Sequence, residues 1–537
     1  MTSSCDLVVV GAGPTGLALA LQAAMMGVDV RVLERRSEPR AWAPALAIHP
    51  RTMEVLRGLD VADDLLNRGL SRVDLQIHVG ESVASGGLGD LKLPSTEYPF
   101  VFFAPQPEVE AVLGEKLASF GVEVEWGGTF RGLQSHSDEL VCRFEVGRRE
   151  RHIRTRYLAG CDGADSSVRE QAGFAFRGGS YRESISIADT GRTVGLESST
   201  AHAFIGIHGI VFFFPLPSGR WRLIGPGVED PTPDAVKTMV ERHIGIRLEV
   251  SEIDWIRVVR PQHRLADHYR RGRVFLVGDA AHVHSPAGAQ GMNTSIQDAV
   301  NLGWKLAMVL KGAPDALLDT YERERRPVAK HVMLLTGLAF ALEVSKLAPL
   351  RWGRRWVAPP VARLLLPHPG IVSLFGRVAS GLDTRYRHGA VEKTRRPDRY
   401  QPGRRLPDRV IGAGMESRVH RLIAGDRFNL LTFEDTVDLS HLDRLADSFA
   451  SVLTRRHAGS TDGKAPTWAL VRPDGYIAAS GRDADFEGAQ RYLRRWLGGS
   501  IASLRPRNHE ENVAPIGSTD PGVNPRSLSS TKWRNRI

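Results

Sequence analysis

The chain has 537 residues, a formal net charge of +10 and three cysteines. This length exceeds what one hydrophobic core supports, so we expect two or three domains. Cys5, Cys142 and Cys161 have neither CxxC nor metal-ligand spacing, which argues against a disulfide framework, a metal site and a dithiol redox centre.

The positive charge would suit a polyanionic partner. The arginines are scattered, however, without the dense basic blocks or stacking aromatics of a nucleic-acid surface. No secretory leader precedes the first predicted strand, and the longest nearly apolar run, Val332 to Leu342, is too short to span a bilayer. We therefore expect a cytoplasmic protein with no nucleic-acid partner, metal or transmembrane segment, and either a monomer or a homodimer.

A dinucleotide-binding pattern begins the chain. Asp6 to Val10 form an apolar, β-branched run typical of a strand buried in a parallel sheet, and residues 17–26 favour a helix. A second strand, Val28 to Leu33, ends at Glu34, where an acid accepts hydrogen bonds from an adenosine ribose, and the next residue, Arg35, is a further candidate for cofactor binding. Between the first strand and the helix lies a turn suited to a pyrophosphate, formed by Gly11, Gly13, Pro14, Thr15 and Gly16.

Two further motifs follow. The first runs from Asp162 and Gly163 to Arg169. The second begins after a predicted buried strand, Val274 to Val277, where the carboxylate of Asp279 can accept hydrogen bonds from sugar-like hydroxyls. A loop over residues 286–293 then feeds a helix predicted over 295–310. A helix N-terminus of this kind stabilises negative charge on a reduced ring.

Together these motifs resemble the single-component FAD-dependent aromatic hydroxylases, which include p-hydroxybenzoate hydroxylase, phenol hydroxylase and polyketide-tailoring hydroxylases. The resemblance implies an α/β fold with a Rossmann-like FAD-binding domain, an inserted α+β substrate domain and a C-terminal thioredoxin-like domain without redox cysteines. The predicted limits are 1–72, 101–180 and 270–395 for the FAD-binding domain, 73–100 and 181–269 for the substrate domain, 396–504 for the thioredoxin-like domain and 505–537 for a disordered tail.

The resemblance also implies particular cofactor contacts. Asp162, Gly163 and Arg169 would lie beside the flavin, Asp279 would bind the ribityl chain, and Gln106 would contact the flavin. The residues that it assigns to the ring are Pro286, Gly288, Gln290, Gly291, Met292 and Asn293. Arg51 and Arg323 also fall in matching segments, but a surface salt bridge explains each at least as well.

One position departs from the family pattern. Seven residues before Arg51, where relatives often carry an arginine that reaches the cofactor and is tied to movement of the flavin, this chain has Pro44. Proline has no side-chain donor. Arg40 and His49 are the nearby residues that could take the place of the missing arginine. Either FAD is held differently here or the motion of the flavin is altered.

The resemblance implies an FAD-dependent monooxygenase. NADH or NADPH reduces FAD, O2 adds at flavin C4a, and the hydroperoxide hydroxylates an electron-rich aromatic or polyketide-like substrate, as in antibiotic biosynthesis. The alternatives left open are Baeyer–Villiger oxidation or epoxidation by the same intermediate, a flavin dehydrogenase, and a ligand-sequestering flavoprotein that inserts no oxygen.

The substrate pocket is expected among alternating strands over residues 181–269. At most half of Phe212 to Phe214 would face a pocket, because successive side chains of a strand point to opposite faces. A phenolic substrate needs a residue that takes its proton. The ionisable residues proposed for that role are His208, His202 and Tyr181, although a packed or exposed side chain is the commoner fate of each.

Overall fold

The computed structural model describes residues 3–80, 82–93, 95–191, 196–206, 209–244, 252–344, 349, 352–357, 360–361, 364, 376–392, 400–411, 418–433, 439–459, 466–482 and 486–502. Its principal helices are Pro14–Met25 (α1), Pro50–Gly58 (α2), Ala62–Leu66 (α3), Gln106–Ala118 (α4), Ser167–Gln171 (α5), Pro233–Ile244 (α6), Gln290–Leu310 (α7), Ala316–Val344 (α8), Leu439–Ser448 (α9) and Glu487–Ala502 (α10). None of the helices in these ranges is both long enough and apolar enough to cross a membrane. The predicted tail lies outside the described residues.

The strands belong to five sheets. In chain order they are Ser3–Val10 (β1), Val30–Glu34 (β2), Ala47–Ile48 (β3), Asp74–Val79 (β4), Ser82–Gly87 (β5), Phe102–Phe103 (β6), Val124–Trp126 (β7), Gly128–Ser135 (β8), Leu140–Val146 (β9), Arg149–Gly160 (β10), Phe176–Ser180 (β11), Ile185–Thr190 (β12), Thr200–Gly206 (β13), Gly209–Pro215 (β14), Trp221–Pro226 (β15), Ile253–Val259 (β16), Gln262–Ala266 (β17), Arg270–Arg271 (β18), Val274–Leu276 (β19), His282–Val283 (β20), Phe428–Thr432 (β21), Leu453–His457 (β22), Trp468–Val471 (β23) and Ile477–Gly481 (β24).

The largest sheet carries the first motif. Its strands run in the order β18-β19-β10-β1-β2-β7, and β9 pairs with both β10 and β8. β1 is parallel to β2 and β10, and β10 is parallel to β19. The apolar run of β1 predicted a strand covered on both faces, and Leu7, Val8 and Val9 are fully buried. The carboxyl ends of these parallel strands therefore meet at one edge, where ligands of such sheets bind.

A seven-stranded sheet, ordered β16-β12-β15-β14-β13-β4-β5, lies within the ranges predicted for the substrate domain. Helix α6 packs Val236, Met239 and Val240 against one face, with Phe213 in the same core. The sheet of β11, β17 and β20 crosses the predicted domain limits. β17 lies in the range predicted for the substrate domain, whereas its partners β11 and β20 lie in the ranges predicted for the FAD-binding domain. It ties the two predicted domains together.

The C-terminal unit contains a four-stranded sheet, ordered β22-β21-β23-β24. β21 and β22 are parallel, whereas β23 is antiparallel to both β21 and β24. With α9 between the parallel strands and α10 after the last strand, this is the predicted thioredoxin-like arrangement. The sequence from residue 396 onward contains no cysteine.

Candidate active site

A cavity of about 650 Å³ joins the three motifs to the substrate sheet. One end is lined by the fingerprint residues Gly11, Gly13 and Thr15, and by Glu34. Asp162, Gly163 and Asp279 also line the cavity. The far end is apolar, and its walls are Leu46, Phe103, Ile185, Ile187, Phe214, Ile224 and Val259. One continuous space therefore passes from a polar, glycine-rich end to an apolar end.

Close packing explains two of the fingerprint glycines. A Cβ on Gly16 would lie 1.9 Å from the carbonyl oxygen of Gly11, and a Cβ on Gly11 would lie 2.4 Å from that of Cys161. Gly11 also has φ of +105°, a conformation that L side chains rarely adopt. Gly13 caps α1 without a side-chain hydrogen bond. The first N–H groups of α1 therefore remain available beside the cavity.

Glu34 is buried at the end of β2. Its Oε2 accepts a hydrogen bond of 2.9 Å from the Ala12 N–H, and its Oε1 accepts from Arg36 Nε at 3.1 Å. Burial alone would raise the pKa of Glu34, but these donors hold the pKa below its usual range. The carboxylate is therefore ionised at neutral pH and lines the cavity where a ribose would bind.

The second and third motifs hold each other. Asp162 accepts hydrogen bonds from Ser167 Oγ at 2.9 Å and from the Val168 N–H at 3.1 Å, which fixes the start of α5. Arg169 donates to the carbonyl oxygens of Ala280 at 3.1 Å and Ala164 at 2.7 Å. Arg169 thus clamps the two motif loops together.

Asp279 projects into the cavity with an exposed side chain. Gly278 has φ of +61°, and a Cβ there would lie 2.8 Å from Ser295 Cβ and 2.9 Å from Thr15 Oγ1. Only glycine therefore lets the third motif approach the first so closely. The result is a carboxylate beside the fingerprint turn, suitable for binding hydroxyl groups.

The loop before α7 presents the helix N-terminus to the cavity. Gly288 and Ala289 both have positive φ, +71° and +52°, and Ala289 caps α7 without a side-chain hydrogen bond. Asn293 fixes this turn, since its Nδ2 donates to Ala47 O at 2.9 Å and to Ala289 O at 2.8 Å. His49 donates from Nε2 to Gly288 O at 2.9 Å. The N-terminal N–H groups of α7 are thus held in place by neighbouring elements.

These features fit FAD. Two uncapped helix N-termini lie beside one cavity, a suitable arrangement for a pyrophosphate at α1 and for an electron-rich ring at α7. The carboxylates of Glu34 and Asp279 line the cavity, where each can accept hydrogen bonds from the hydroxyls of a ribose and a ribityl chain. The residues present therefore suit the pyrophosphate, the sugar hydroxyls and the ring of the dinucleotide.

Comparison with known families decides the identity of the fold. A family model described as FAD binding domain matches residues 4–336, and one described as aromatic-ring hydroxylase, C-terminal, matches residues 399–500. The chain belongs to the FAD-dependent aromatic hydroxylase family. The predictions of an FAD-dependent monooxygenase and of its fold class are confirmed.

Individual relatives cover nearly the whole hydroxylase. A flavin-dependent monooxygenase of Mycobacteroides abscessus is 33% identical, with 88% of this chain and 96% of the relative covered. The 6-methylpretetramide 4-monooxygenase of Streptomyces rimosus is 32% identical, with 89% and 91% covered. The solved structure of CabE, an aromatic hydroxylase from angucycline biosynthesis, has a TM-score of 0.74 at 32% identity and covers 92% of this chain and 99% of that one.

Most of the predicted cofactor residues of the hydroxylase line the cavity. They are Gly11, Gly13, Pro14, Thr15, Glu34, Arg35, Gln106, Asp162, Gly163, Asp279, Pro286, Gly291 and Met292. Gly16, Arg169, Gly288 and Asn293 lie behind this lining, where they fix its shape through the contacts described above. Gln290 Nε2 donates to Ala379 O at 2.9 Å, so this side chain also supports the loop.

Surface salt bridges were expected for both Arg51 and Arg323, but only Arg323 lies on the surface. Arg323 is exposed and lines a separate surface pocket. Arg51 is buried, with 2% of its surface exposed. It donates to Glu54 Oε2 at 2.9 Å and to the carbonyl oxygen of Asp474 at 2.5 Å. The prediction was wrong for Arg51, because the C-terminal unit covers this arginine.

Neither of the two described proton-acceptor candidates, His202 and Tyr181, lines the cavity. His202 points to the α6 side of the substrate sheet, since it is paired with Phe213, and its Nδ1 lies 3.0 Å from His78 Nε2. His208 lies outside the described residues. Tyr181 packs on Phe340 and His263 next to the apolar cluster that includes Ala287. Of the two described candidates, only Tyr181 lies near the flavin loop.

Sequence reasoning missed His284. This imidazole lines the cavity, and its Nδ1 lies 2.9 Å from the carbonyl oxygen of Ser285, which makes Nδ1 the protonated nitrogen. Its Nε2 is buried and has no hydrogen-bond partner among the described residues. Burial, followed by the nearby His282, lowers the pKa of His284. A histidine five residues after Asp279 was the available signal.

Sequence reasoning also missed Arg222, in β15. It lies on the cavity face of the substrate sheet and donates to the carbonyl oxygens around Pro44. Arg40 and His49, considered as replacements for the arginine that Pro44 displaces, do not contact this segment through the hydrogen bonds that Arg222 makes. His49 binds Gly288, and Arg40 lines the cavity near Arg36 at the polar end.

Proposed function

We propose that the hydroxylase uses NADH or NADPH and O2 to hydroxylate a fused, largely apolar aromatic substrate at the far end of the cavity. The observation that supports this most is the apolar wall next to the flavin loop, formed by Ile185, Ile187, Phe214, Ile224 and Val259. Each square ångström of apolar surface removed from water stabilises binding by about 25 cal/mol, so a flat fused-ring compound gains more than a single ring.

Two relatives support a fused-ring substrate. One is named as a 6-methylpretetramide 4-monooxygenase, and the other is an aromatic hydroxylase from angucycline biosynthesis. Both are at least 32% identical to this chain over about nine-tenths of its length. A role in tailoring an aromatic polyketide follows as part of the proposal.

When bound, FAD supplies the chemistry that activates O2 and delivers one oxygen atom to the substrate. The protein supplies orientation and exclusion of water. Asp279 would fix the ribityl chain, and the N-terminus of α7 would stabilise negative charge on the ring. The apolar far wall would keep water from the reacting face.

We propose His284 as the hydrogen-bond acceptor for a phenolic hydroxyl of the substrate. Its Nε2 lacks a partner, and an unpaired buried nitrogen is costly unless a ligand satisfies it. Because its pKa is lowered, the imidazole is neutral at pH 7 and can accept a proton. Tyr181, which stays protonated because burial raises its pKa, is better suited to donate a hydrogen bond.

Two further expectations accompany this function, one for the cellular location and one for the domain limits. Cys5, Cys142 and Cys161 are buried free thiols, which supports a reducing, cytoplasmic location. The predicted domain limits also stand as proposals. They are supported by the separate sheets, except where β17 joins β11 and β20.

A ligand panel tests the substrate class. The purified holoprotein would be titrated with phenol, hydroxylated naphthoquinones and hydroxylated fused tetracycles while flavin absorbance and NADH or NADPH oxidation are followed. We expect the fused compounds to bind at least about tenfold more tightly than phenol, as about 1.4 kcal/mol of extra apolar burial predicts. A preference for the single ring would contradict the assignment.

A further inference from the structure

A buried ion pair lies on the cavity face of the substrate sheet. Asp189 of β12 and Arg222 of β15 are directly opposite each other. Arg222 Nε donates to Asp189 Oδ1 and Nη2 donates to Oδ2, both at 2.7 Å. Arg222 is 1% exposed and Asp189 is 2% exposed. This two-point pairing fixes the plane of the guanidinium.

The remaining nitrogen of the guanidinium reaches another part of the fold. Arg222 Nη1 donates to the carbonyl oxygen of Ala43 at 2.7 Å, and also contacts those of Pro44 at 3.1 Å and Ala45 at 3.3 Å. These three residues belong to the connection between β2 and β3. One arginine of the substrate sheet therefore holds three consecutive carbonyls of the FAD-binding part.

Aromatic contacts surround this arginine. Trp255 lies opposite Asp189 in β16, and the Arg222 guanidinium lies 5.8 Å from the centre of its ring. Trp42, immediately before the held carbonyls, stacks on Trp255 with ring centres 6.5 Å apart. The segment is thus attached to the substrate sheet by a charge-assisted contact and by an aromatic stack.

The held segment is a wall of the cavity. Pro44 and Ala45 line it, as does Leu46 immediately afterwards. Pro44 itself has no side-chain donor with which to anchor the segment. The Ala45 carbonyl also accepts from the Gln106 N–H at 3.1 Å, and Gln106 lines the cavity as well. The position of this wall therefore depends on Arg222.

We propose that Arg222, oriented by Asp189, is a positioning residue that fixes segment 43–45 as the wall closing the cavity over bound FAD. The consequence for substrate orientation rests on the proposed function, whereas the position of the wall is measurable without a substrate. Lysine cannot replace the arginine, because a single ammonium lacks the planar set of donors that spans a carboxylate and three carbonyls.

The test compares Arg222→Lys and Asp189→Asn with a matched control, Arg242→Lys. Arg242 is exposed on α6, which covers the opposite face of the same sheet. All proteins would be studied with FAD bound. Hydrogen exchange measures opening of the segment over residues 41–47, and iodide quenching of flavin fluorescence measures solvent access to the ring.

We expect exchange in residues 41–47 to become about tenfold faster in Arg222→Lys, and iodide quenching to increase at least about twofold. Asp189→Asn should change both readings in the same direction, since the amide no longer orients the guanidinium. Arg242→Lys should change neither. If both cavity-face variants retain FAD and keep the exchange and quenching of the unsubstituted protein, the proposal is overturned.

Failure of the proposed function gives a different pattern. If no aromatic compound is hydroxylated by the unsubstituted protein but the two variants still open the segment, the positioning role stands and the substrate assignment fails. If an aromatic substrate is hydroxylated, the variants should release more hydrogen peroxide for each NADPH consumed. An unchanged peroxide yield would overturn the part of the proposal that concerns the closed wall.

Discussion

Single glycines determine whether the polar end of the cavity can form. At Gly11 the backbone conformation and the Cys161 carbonyl both exclude a side chain, and at Gly16 the Gly11 carbonyl does so. Gly114 has no such neighbour, because a Cβ there would meet nothing within 4 Å. The requirement for glycine is therefore specific to the turn and separable from general effects on helices.

We expect Gly11→Ala and Gly16→Ala to lose FAD. Each added methyl group would displace the turn and so move the N-terminus of α1, and we expect FAD affinity to fall at least about tenfold, or about 1.4 kcal/mol. Flavin absorbance per protein after gel filtration measures the loss. Gly114→Ala, in the middle of α4, should retain FAD fully and gain up to about 1 kcal/mol in stability. Full FAD content in the first two variants would show that the turn tolerates a side chain.

The proposed role of His284 predicts a pH dependence. The imidazole accepts a proton only when neutral, so the activity that depends on it is present above its pKa and lost as pH falls below it. Because its pKa is lowered, turnover of a phenolic substrate should stay level from pH 8 to about 6.5, the usual pKa of histidine, and decline only at lower pH.

Variants separate this role from a structural one. His284→Gln should lower kcat for a phenolic substrate about 100-fold or more, the usual contribution of a general base, and should abolish the acid limb while leaving FAD content unchanged. His152→Gln, at an exposed histidine of β10, is the matched control. A His284→Gln enzyme with an unaltered pH profile would remove His284 from the proton transfer.

At the scale of elements, the junction of β3 and α7 sets the flavin end of the cavity. Asn293 Oδ1 accepts from the His49 N–H at 2.8 Å, while its Nδ2 donates to Ala47 and Ala289. The turn with positive φ at Gly288 and Ala289 is held between these bonds. One side chain thus couples a strand, a turn and a helix N-terminus.

Asn293→Ala should leave these buried backbone groups unpaired. The loss of stability should be about 1–3 kcal/mol, and bound flavin should become easier to remove. Thermal unfolding and FAD release during dialysis measure the two effects. Asn67→Ala, at an exposed helix end, should change neither. Unchanged unfolding of Asn293→Ala would mean that the turn is held by other contacts.

The elements that sequence predicted well are local. One strand–turn–helix–strand unit contains the run Asp6 to Val10, the glycine fingerprint and Glu34. The spacing of these residues along the chain is therefore enough to determine how they meet. The residues that sequence missed have distant partners. Arg222 binds carbonyls 177 to 179 positions away, and no local pattern indicates that pairing. Alternation predicted that at most half of Phe212 to Phe214 would face a pocket, and Phe214 lines the cavity while Phe213 lies in the α6 core.

At the scale of the whole molecule, buried charges join the C-terminal unit to the FAD-binding part. Glu324 of α8 accepts hydrogen bonds from Lys305 at 2.9 Å and from Arg472 at 2.8 Å and 2.9 Å. Burial alone would raise the pKa of Glu324, but Arg472 and Lys305 hold the pKa well below its usual range. Burial lowers the pKa of Lys305 to about 8. Glu324 therefore joins the C-terminal unit to the FAD-binding part.

Acid should weaken this interface. A carboxyl whose pKa is depressed in the folded state stabilises the fold above its unfolded pKa of about 4.3, and this contribution is lost as pH falls below that value. Glu324→Gln leaves two buried cations with a weaker partner, so we expect the free energy of unfolding to fall by about 3–5 kcal/mol at pH 7. The stability of this variant should also decline less steeply than that of the unsubstituted protein as the pH falls. Thermal unfolding from pH 7 to pH 3 measures both, with the exposed Glu487→Gln as control. Equal pH dependence in Glu324→Gln and the unsubstituted protein would contradict this role.

The most direct test of oxygen insertion is turnover under labelled dioxygen. The purified holoprotein, NADPH and a hydroxylated fused-ring compound would react under ¹⁸O2, and mass spectrometry would follow the product. We predict a product heavier by one ¹⁸O atom, with the second labelled atom in water and one NADPH consumed for each product molecule. Product oxygen that comes from water, or NADPH oxidation that yields only hydrogen peroxide with every compound tried, would contradict the account.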